Sequence, residues 1–583
     1  MMEITLGKFT VTLHEGQSCS LKDVQESEGV TKTVFHFSWT EENAANDDGF
    51  SVYWTEAVAG VMYKWDSRCM SARELTAHWD DRFSSMLSRL SPVTCYFDGL
   101  GRNRYCWALS ECKHPVELLN KINDQSGRLG LQFSFGTRQF TRRYETEITL
   151  LTDVRDVPMR EAVTDVAAWW ETLGMKPMPV PDDAREPLYS FWYSYHQEVN
   201  EADVEAECRR AKEMGFRLCI VDDGWQTEDI SGGYAYCGDW KPAPGKFPTM
   251  AAHIRRVHEL GMKYLLWYSV PLIGERSEHY REFQGKLLRS RPSLKAAILD
   301  PRYPDTRAFL VETFRRALTE WDLDGFKLDF IDTWTDDPAN APYNEGMDIP
   351  ALQDAVDVCM TEITTTLLAI KPDLLIEFRQ NYIGPHLKRF GNIFRVGDCA
   401  GNYTRNRVAI LDLRMLTGPA AVHSDMLMLA PFEDPRVNAL QMISCMFGVM
   451  QYSGRLDRLD DAMLKTSRFW LAFFKEHRDL LQTGTLTAYE PHLLYTWVKS
   501  TLANECAVGV YAIDKCVRPD PADTIYIANG CMGERVLVEL TGTYHVRVLT
   551  CCGDEADSYD KTFDGVTAPA VPVGGLLVLT RKN

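Results

Sequence analysis

This chain of 583 residues contains no apolar run approaching the ~18 residues of a membrane span, so a membrane protein is not expected. Positive charge is in short supply. Against 82 acidic residues stand 63 basic ones, a net charge of -19. That balance argues against a broad nucleic-acid or anionic-membrane surface and suits a neutral substrate. The 16 cysteines form no metal-like CxxC pair, and Cys551 and Cys552 are adjacent, an awkward geometry for one ordinary bridge. A reduced, cytoplasmic protein is the simpler expectation. The opening Met1-Met2-Glu3-Ile4-Thr5-Leu6 lacks the basic and apolar stretches of a secretory signal, which leaves only a processed secreted form open. Repeats and low-complexity tracts are also missing.

What is present is ample apolar material. At 45% hydrophobic, the chain can fill several cores, with about three or four domains as the prior from length. The 15 tryptophans and 24 tyrosines suit the C–H faces of sugars, but most are expected to be ordinary core. Residues 1–180 read as a β-sandwich with a helical linker. Its strands include Phe9–Leu13, Thr33–Phe37, Leu131–Phe135 and Thr146–Leu150, followed by a helix near Val163–Leu173 and a linker marked by Pro177, Pro179 and Pro181. Residues 485–583 read as a second, antiparallel β-domain, with Leu493–Trp497, Thr524–Ile527 and Tyr544–Leu549 as strands.

Between them, over residues 185–480, strands and helices alternate eight times. The strands are Leu188–Tyr195, Leu218–Asp222, Lys263–Tyr268, Gly325–Ile331, Leu374–Arg379, Ile393–Val396, Ala421–Ser424 and Phe447–Gln451. Helices are expected at Glu201–Met214, Met250–Leu260, Asp305–Trp321 and Leu352–Ile370. This order predicts a multidomain α/β and β protein, a central (β/α)8 TIM barrel flanked by two β-domains. An open doubly wound sheet is the runner-up, but no glycine-rich phosphate loop follows the first strand.

Barrel chemistry sits at the C-terminal strand ends, and here those ends are polar. Strand two ends in Asp222-Asp223-Gly224-Trp225. Both aspartates can reach one pocket only if the chain is already turning. An ordinary Asp-Gly turn is the plain alternative. Strand three ends in Trp267-Tyr268. Strand four carries Lys327 and Asp329, two apart and so on one face. A lysine and a carboxylate facing an apolar interior serve each other or a ligand. Strand five ends in Glu377-Phe378-Arg379-Gln380, strand six in Arg395-Val396-Gly397-Asp398, and strand seven in His423-Ser424-Asp425. Two carboxylates flanking a sugar are what glycoside hydrolysis requires. Lys327 is expected to hold the attacking carboxylate ionised. Metal hydrolysis is the weaker reading, because His196, His253 and His258 form neither HExxH nor HxH near a suitable carboxylate.

Several stretches together resemble the α-galactosidases of glycoside hydrolase family 36, whose clan includes family 27. They are Met214-Gly215-Phe216-Arg217-Leu218-Cys219-Ile220-Val221-Asp222-Asp223-Gly224-Trp225, Gly238-Asp239-Trp240 with Lys246-Phe247-Pro248, Leu260–Trp267, Leu299-Asp300-Pro301 and Trp321–Asp329. They span most of residues 185–430. The resemblance implies Asp329 as nucleophile and Asp398 as acid/base, and the like charge of an ionised Asp329 is expected to raise the pKa of Asp398. It implies Asp222 and Asp223 as acceptors for the 4-OH and 6-OH of galactose, Trp267 as a pocket wall, and Lys327 as an assistant to Asp329. It further implies a substrate-binding role for Arg379, Gln380, Arg395, Trp225, Asp239 and Trp240, no metal or cofactor, and an N-terminal tryptophan, Trp54 or Trp65, lent to the pocket.

Departures mark a divergent branch. Phe378-Arg379-Gln380-Asn381 stands where family 36 usually has a Cys-x-Ser-Gly-Gly-like run. Gly397-Asp398-Cys399-Ala400 replaces Ser-Asp-x-x-Asp, and Ser424-Asp425-Met426-Leu427 is closer to family 27. The expected activity is a retaining exo-α-galactosidase acting on galactose-containing oligosaccharides or glycosides. Rivals are α-N-acetylgalactosaminidase, β-L-arabinopyranosidase, a galactosyl-transferring relative, or a sugar-binding protein without catalysis. The sequence leaves a homo-oligomer open.

Overall fold

In the computed structural model, which describes residues 1–75, 81–140, 142–335 and 342–582, the centre of the chain is one sheet of eight parallel strands. They are Leu188–Ser190, Leu218–Val221, Lys263–Ser269, Gly325–Asp329, Leu375–Arg379, Ile393–Arg395, Ala421–His423 and Gln451–Tyr452, called barrel strands one to eight below. Strands one to seven each pair with their neighbours in sequence, and strand eight pairs with strand one. A parallel bridge from His423 to Val449 spans the remaining gap. Helices such as Glu201–Met214, Met250–Glu259, Pro304–Trp321, Leu352–Ile370 and Tyr403–Leu416 alternate with the strands. This is the (β/α)8 barrel expected from the alternation.

Two barrel strands differ from the sequence reading. The first stops at Ser190, and Trp192–Tyr195 forms a helical turn that carries Tyr193 to the barrel mouth. The eighth begins at Gln451, because Cys445–Gly448 is a turn closed by Gly448 N–H on Cys445 O at 2.9 Å.

Inward-facing residues alternate along each strand. At the N-terminal end, Leu188, Leu218, Ile220, Leu265, Leu375, Ile393, Ala421 and Val449 form one apolar cluster. Gly325 completes the ring because a Cβ there would lie 2.2 Å from Leu375 O. Two residues further on, strands four to eight present Lys327, Glu377, Arg395, His423 and Gln451, all buried. Such a layer is tolerable only if its polar groups serve one another. Gln451 Nε2 donates to Glu377 Oε2 at 2.5 Å and meets His423 Nδ1 at 3.1 Å. His423 Nε2 donates to Ala184 O at 2.7 Å, which fixes the tautomer. Burial lowers the His423 pKa to about 4, so the ring is neutral.

Residues before the barrel form two six-stranded antiparallel sheets and the helix Met159–Thr172. Their interior is aromatic. Trp54 meets Trp107 edge-on at 5.1 Å and donates to Tyr105 OH at 2.9 Å. After the barrel comes a mainly antiparallel sheet with two parallel pairings, Glu505–Val510 with Thr524–Asn529 and Cys516–Val517 with Leu537–Leu549. Leu493–Trp497 is not the strand expected. Pro491–Leu493 is a 3-10 turn, Leu494 and Tyr495 have positive φ, and the strand starts at Trp497. The irregular stretch serves docking. Tyr495 OH donates to Asp412 Oδ1 at 2.6 Å, and Arg73 from the N-terminal domain grips the same carboxylate at 2.8 and 3.0 Å. One buried knot thus ties all three domains. The 16 cysteines are all free thiols, and among the described residues no helix is long and apolar enough to cross a membrane.

Candidate active site

Asp329 ends barrel strand four, buried, with four donors on its carboxylate. Oδ1 accepts from Arg379 Nε at 2.9 Å, Tyr382 OH at 2.5 Å and Phe330 N–H at 2.7 Å. Among the described residues, Oδ2 accepts only from Trp267 Nε1, at 3.0 Å. Burial pushes this carboxyl up, but the charges of Arg379 and Lys327 and the bonds from Tyr382 and Trp267 outweigh it. Asp329 is therefore held well below the usual carboxylate range.

The expected direct partnership of Lys327 and Asp329 is corrected here. Lys327 Nζ reaches across the barrel to Asp222 Oδ2 at 2.5 Å, and Arg379 is the cation bonded to Asp329. Side chains at i and i+2 share a face but not a height, and the shorter reach from Lys327 is to strand two. Lys327 still contributes to Asp329 through space.

On strand two, the turn that brings both aspartates inward is real. Gly224 has φ +118°, and a Cβ there would strike Gln197 Cα at 2.6 Å. Asp222 Oδ1 accepts from the Asp223 N–H at 2.9 Å. Asp223 takes one amide on each oxygen, Gln197 at 2.7 Å and Gln226 at 2.6 Å. Burial, only partly offset by those amides and reinforced by Asp222, raises Asp223 to about 6. Each oxygen keeps a free lone pair for a further donor.

Strands five to seven converge on Arg395, which is 1% exposed. It bonds Asp425 at 2.5 Å and Asp398 at 2.8 Å, and lies 3.7 Å from Glu377. Asp425 also accepts from Tyr193 OH at 3.1 Å and Cys399 N–H at 2.7 Å. Burial raises the pKa of both Asp425 and Glu377 against the pull of nearby cations. Asp398 is different. Its side chain is 60% exposed at the mouth, whereas those of Asp425 and Glu377 are 1% or less. The upward pKa shift expected for Asp398 from Asp329 is not found. Burial raises it, but Arg395, Arg379 and Lys327 together lower it further.

Other expected pocket residues fall elsewhere. Trp225 is fully buried behind the site, with its Nε1 on Trp267 O at 2.9 Å and its ring stacked on Trp240, itself 3% exposed. Asp239 accepts the Glu278 and His279 N–H groups at 2.8 and 3.2 Å, and so caps the turn Glu278–Arg281. Trp54 and Trp65 are buried in the N-terminal domain. Trp267 is buried too, and acts on Asp329 rather than as an open wall. Tyr234, half-buried, stacks on Trp267 at 6.0 Å and meets Phe330 edge-on at 4.8 Å. Gln380 Oε1 accepts the Gly397 N–H at 3.2 Å, while its buried Nε2 has no partner among the described residues. The N-terminal domain does approach here: Leu90 N–H bonds Asn381 O at 3.1 Å and Ser91 Oγ bonds Ile383 O at 2.7 Å.

Sequence reasoning missed Tyr382, Tyr193, Gln197 and Tyr234. All four lie on loops or turns outside the strands, where no period-two pattern exists to flag them.

The melibiase family matches residues 180–378. Among curated relatives, the α-galactosidase Mel36A of Lactobacillus acidophilus is 25% identical over 354 residues, 56% of this chain and 44% of that protein. The A type blood α-D-galactosamine galactosaminidase of Flavonifractor plautii is 28% identical over 176 residues, 26% of this chain and 16% of that protein. The matched stretch spans less than half the length of these relatives. Among solved structures, the family 36 α-galactosidase AgaA of Geobacillus stearothermophilus with 1-deoxygalactonojirimycin superposes with a TM-score of 0.66. The superposition covers 99% of this chain and 82% of that one at 13% identity, a likeness of fold.

Proposed function

We propose that this chain, matched by the melibiase family over residues 180–378, is a family 36 enzyme and a retaining exo-α-galactosidase, removing terminal α-galactosyl residues by double displacement. The observation that carries this reading is the asymmetry of Asp329. Three donors anchor Oδ1, while Oδ2 has one, so a fixed, ionised carboxylate keeps one oxygen free to attack. In the first step Oδ2 bonds to the anomeric carbon, the glycosidic bond breaks, and Asp398 gives its proton to the departing oxygen. In the second step Asp398 takes a proton from water as that water displaces Asp329.

Of the three carboxylates around Arg395, Asp398 alone is open to solvent, which suits a group that must meet both leaving group and water. Its protonation before the first step is favoured when a bound substrate strips its solvent, because desolvation disfavours the charged form. Asp222 and Asp223, fixed by Lys327 and two glutamines, offer the spare acceptors that an axial 4-OH and a 6-OH would use. A variant AgaA structure with raffinose and another with stachyose suggest the substrate class to test first.

The test is covalent trapping. A mechanism-based fluorogalactoside should label Asp329, and early product should be α-galactose by proton NMR. A label on another residue, or β-galactose first, would remove this reading. A panel of nitrophenyl glycosides separates galactose from N-acetylgalactosamine and arabinose.

A further inference from the structure

The site uses the C-terminal mouth of the barrel. Away from it, where all three domains meet, lies a second cavity of about 440 Å³. Three arginines line it: Arg160 from the helix Met159–Thr172, Arg185 from the linker, and Arg414 from the helix Tyr403–Leu416. Thr483 and Gly484, at the entrance to the C-terminal domain, also line it.

None of the three guanidinium groups has a carboxylate partner among the described residues. Each bonds only to main-chain carbonyls. Arg160 reaches Leu411 O at 3.0 Å and Arg185 reaches Pro419 O at 2.5 Å. Arg414 reaches Phe447 O, Leu481 O and Gln482 O at 2.8, 3.0 and 2.7 Å. The nearby acids are already engaged. Asp412 is held by Arg73, Glu171 by Lys388, and Glu186, Asp182 and Asp479 by Arg478. Three like charges thus face one another in a chain whose net charge is -19. Burial, and after it the charges of Arg160 and Arg185, lower Arg414 to about 9.

We propose that this junction cavity binds a small phosphate monoester of about sugar size. Guanidinium forks match phosphate oxygens in geometry and charge, and three of them suit a dianion. The volume falls in the roughly 300–1,000 Å³ span of small-molecule sites, more than a bare phosphate ion needs. Because the three arginines come from three chain segments, an occupant would tie those segments together.

Isothermal titration of the full chain with glucose 6-phosphate, inorganic phosphate and glucose, at matched ionic strength, tests this. Glucose 6-phosphate should bind with one-to-one stoichiometry and tighter than inorganic phosphate, and glucose should not bind here. Arg160→Gln and Arg185→Gln, each losing one main-chain bond, should weaken binding roughly ten- to a hundredfold. Asp329→Asn should leave it unchanged, which keeps this result separate from the fate of the glycosidase reading. Phosphate-ester heats no larger than chloride gives, heats unmoved by both arginine variants, or inorganic phosphate binding as tightly as the ester, would each overturn the proposal.

Discussion

Replacing Arg379 by glutamine should move the ionisation of Asp329 upward and expose it in the kinetics. The Nε–Oδ1 distance is 2.9 Å. With charge centres about 4 Å apart and an effective dielectric constant near 20, the attraction is about 4 kcal/mol. The Arg379 side chain is 23% exposed, so solvent screening reduces this, to roughly half. About 2 kcal/mol corresponds to a shift of about 1.5 pH units. Lys327 and the bonds from Tyr382, Trp267 and the Phe330 N–H remain, so the carboxyl should still ionise at neutral pH. The assay must isolate the attack. The pre-steady-state burst of a dinitrophenyl α-galactoside at saturating substrate does so, because that leaving group needs no proton from Asp398. In the wild type the burst rate should hold far into the acid range, since Asp329 is depressed and loses its charge only when pH falls through its low folded value. In Arg379→Gln the acid limb should appear about one to two units higher. Arg379→Lys should restore most of the shift but not the rate, because an ammonium lacks the planar fork. An acid limb that stays put in Arg379→Gln, with a uniform loss of rate at all pH values, would show that Arg379 places the carboxylate without controlling its charge.

Asp398→Ala should be severely slow on melibiose or raffinose and should form the intermediate comparatively well from an activated aryl galactoside. Azide should then rescue its breakdown and give α-galactosyl azide; equal losses on both substrates, with no azide effect, would remove Asp398 from the acid/base role. Asp223, raised to about 6 by burial, should govern sugar binding, so kcat/KM should fall as pH drops through about 6 while kcat changes less. Asp223→Asn should flatten that limb, and a limb that persists in the variant would point to another group. Tyr382→Phe removes one of three donors to Asp329 Oδ1 and should cost about tenfold or more in kcat with little change in KM, read from initial rates; a KM effect alone would place the hydroxyl on the substrate instead.

The barrel was legible because each strand is a short apolar run ended by polar residues, and each helix an amphipathic stretch of its own length. Even so, period two stops where a strand stops. It assigned Lys327 and Asp329 to one face but could not say that strand two is the nearer reach for an ammonium. Nor could it find Tyr382, three residues into a loop, or Tyr193, on a turn read as strand. Trp225, Asp239 and Trp240 show the opposite error. Their types suit a sugar pocket, yet Trp225 and Trp240 fill the wall behind it and Asp239 caps a turn, because local hydrogen bonding and packing claimed them first. The charge state of Asp398 was misjudged for a related reason: one anionic neighbour was visible in the pattern, while three cations from strands four, five and six become its neighbours only in the folded barrel.

The knot of Arg73, Asp412 and Tyr495 bears on how this protein can be altered. Losing one member of a buried ion pair strands the other, at about 3–5 kcal/mol. A chain trimmed at either end would leave Asp412, on the barrel helix Tyr403–Leu416, with half its partners missing. The barrel is therefore no transplantable cassette: shortening the chain, or grafting a foreign β-domain onto it, has to bring along a residue able to reach that carboxylate. Inheritance should favour changes in the loops around the mouth over exchange of whole domains.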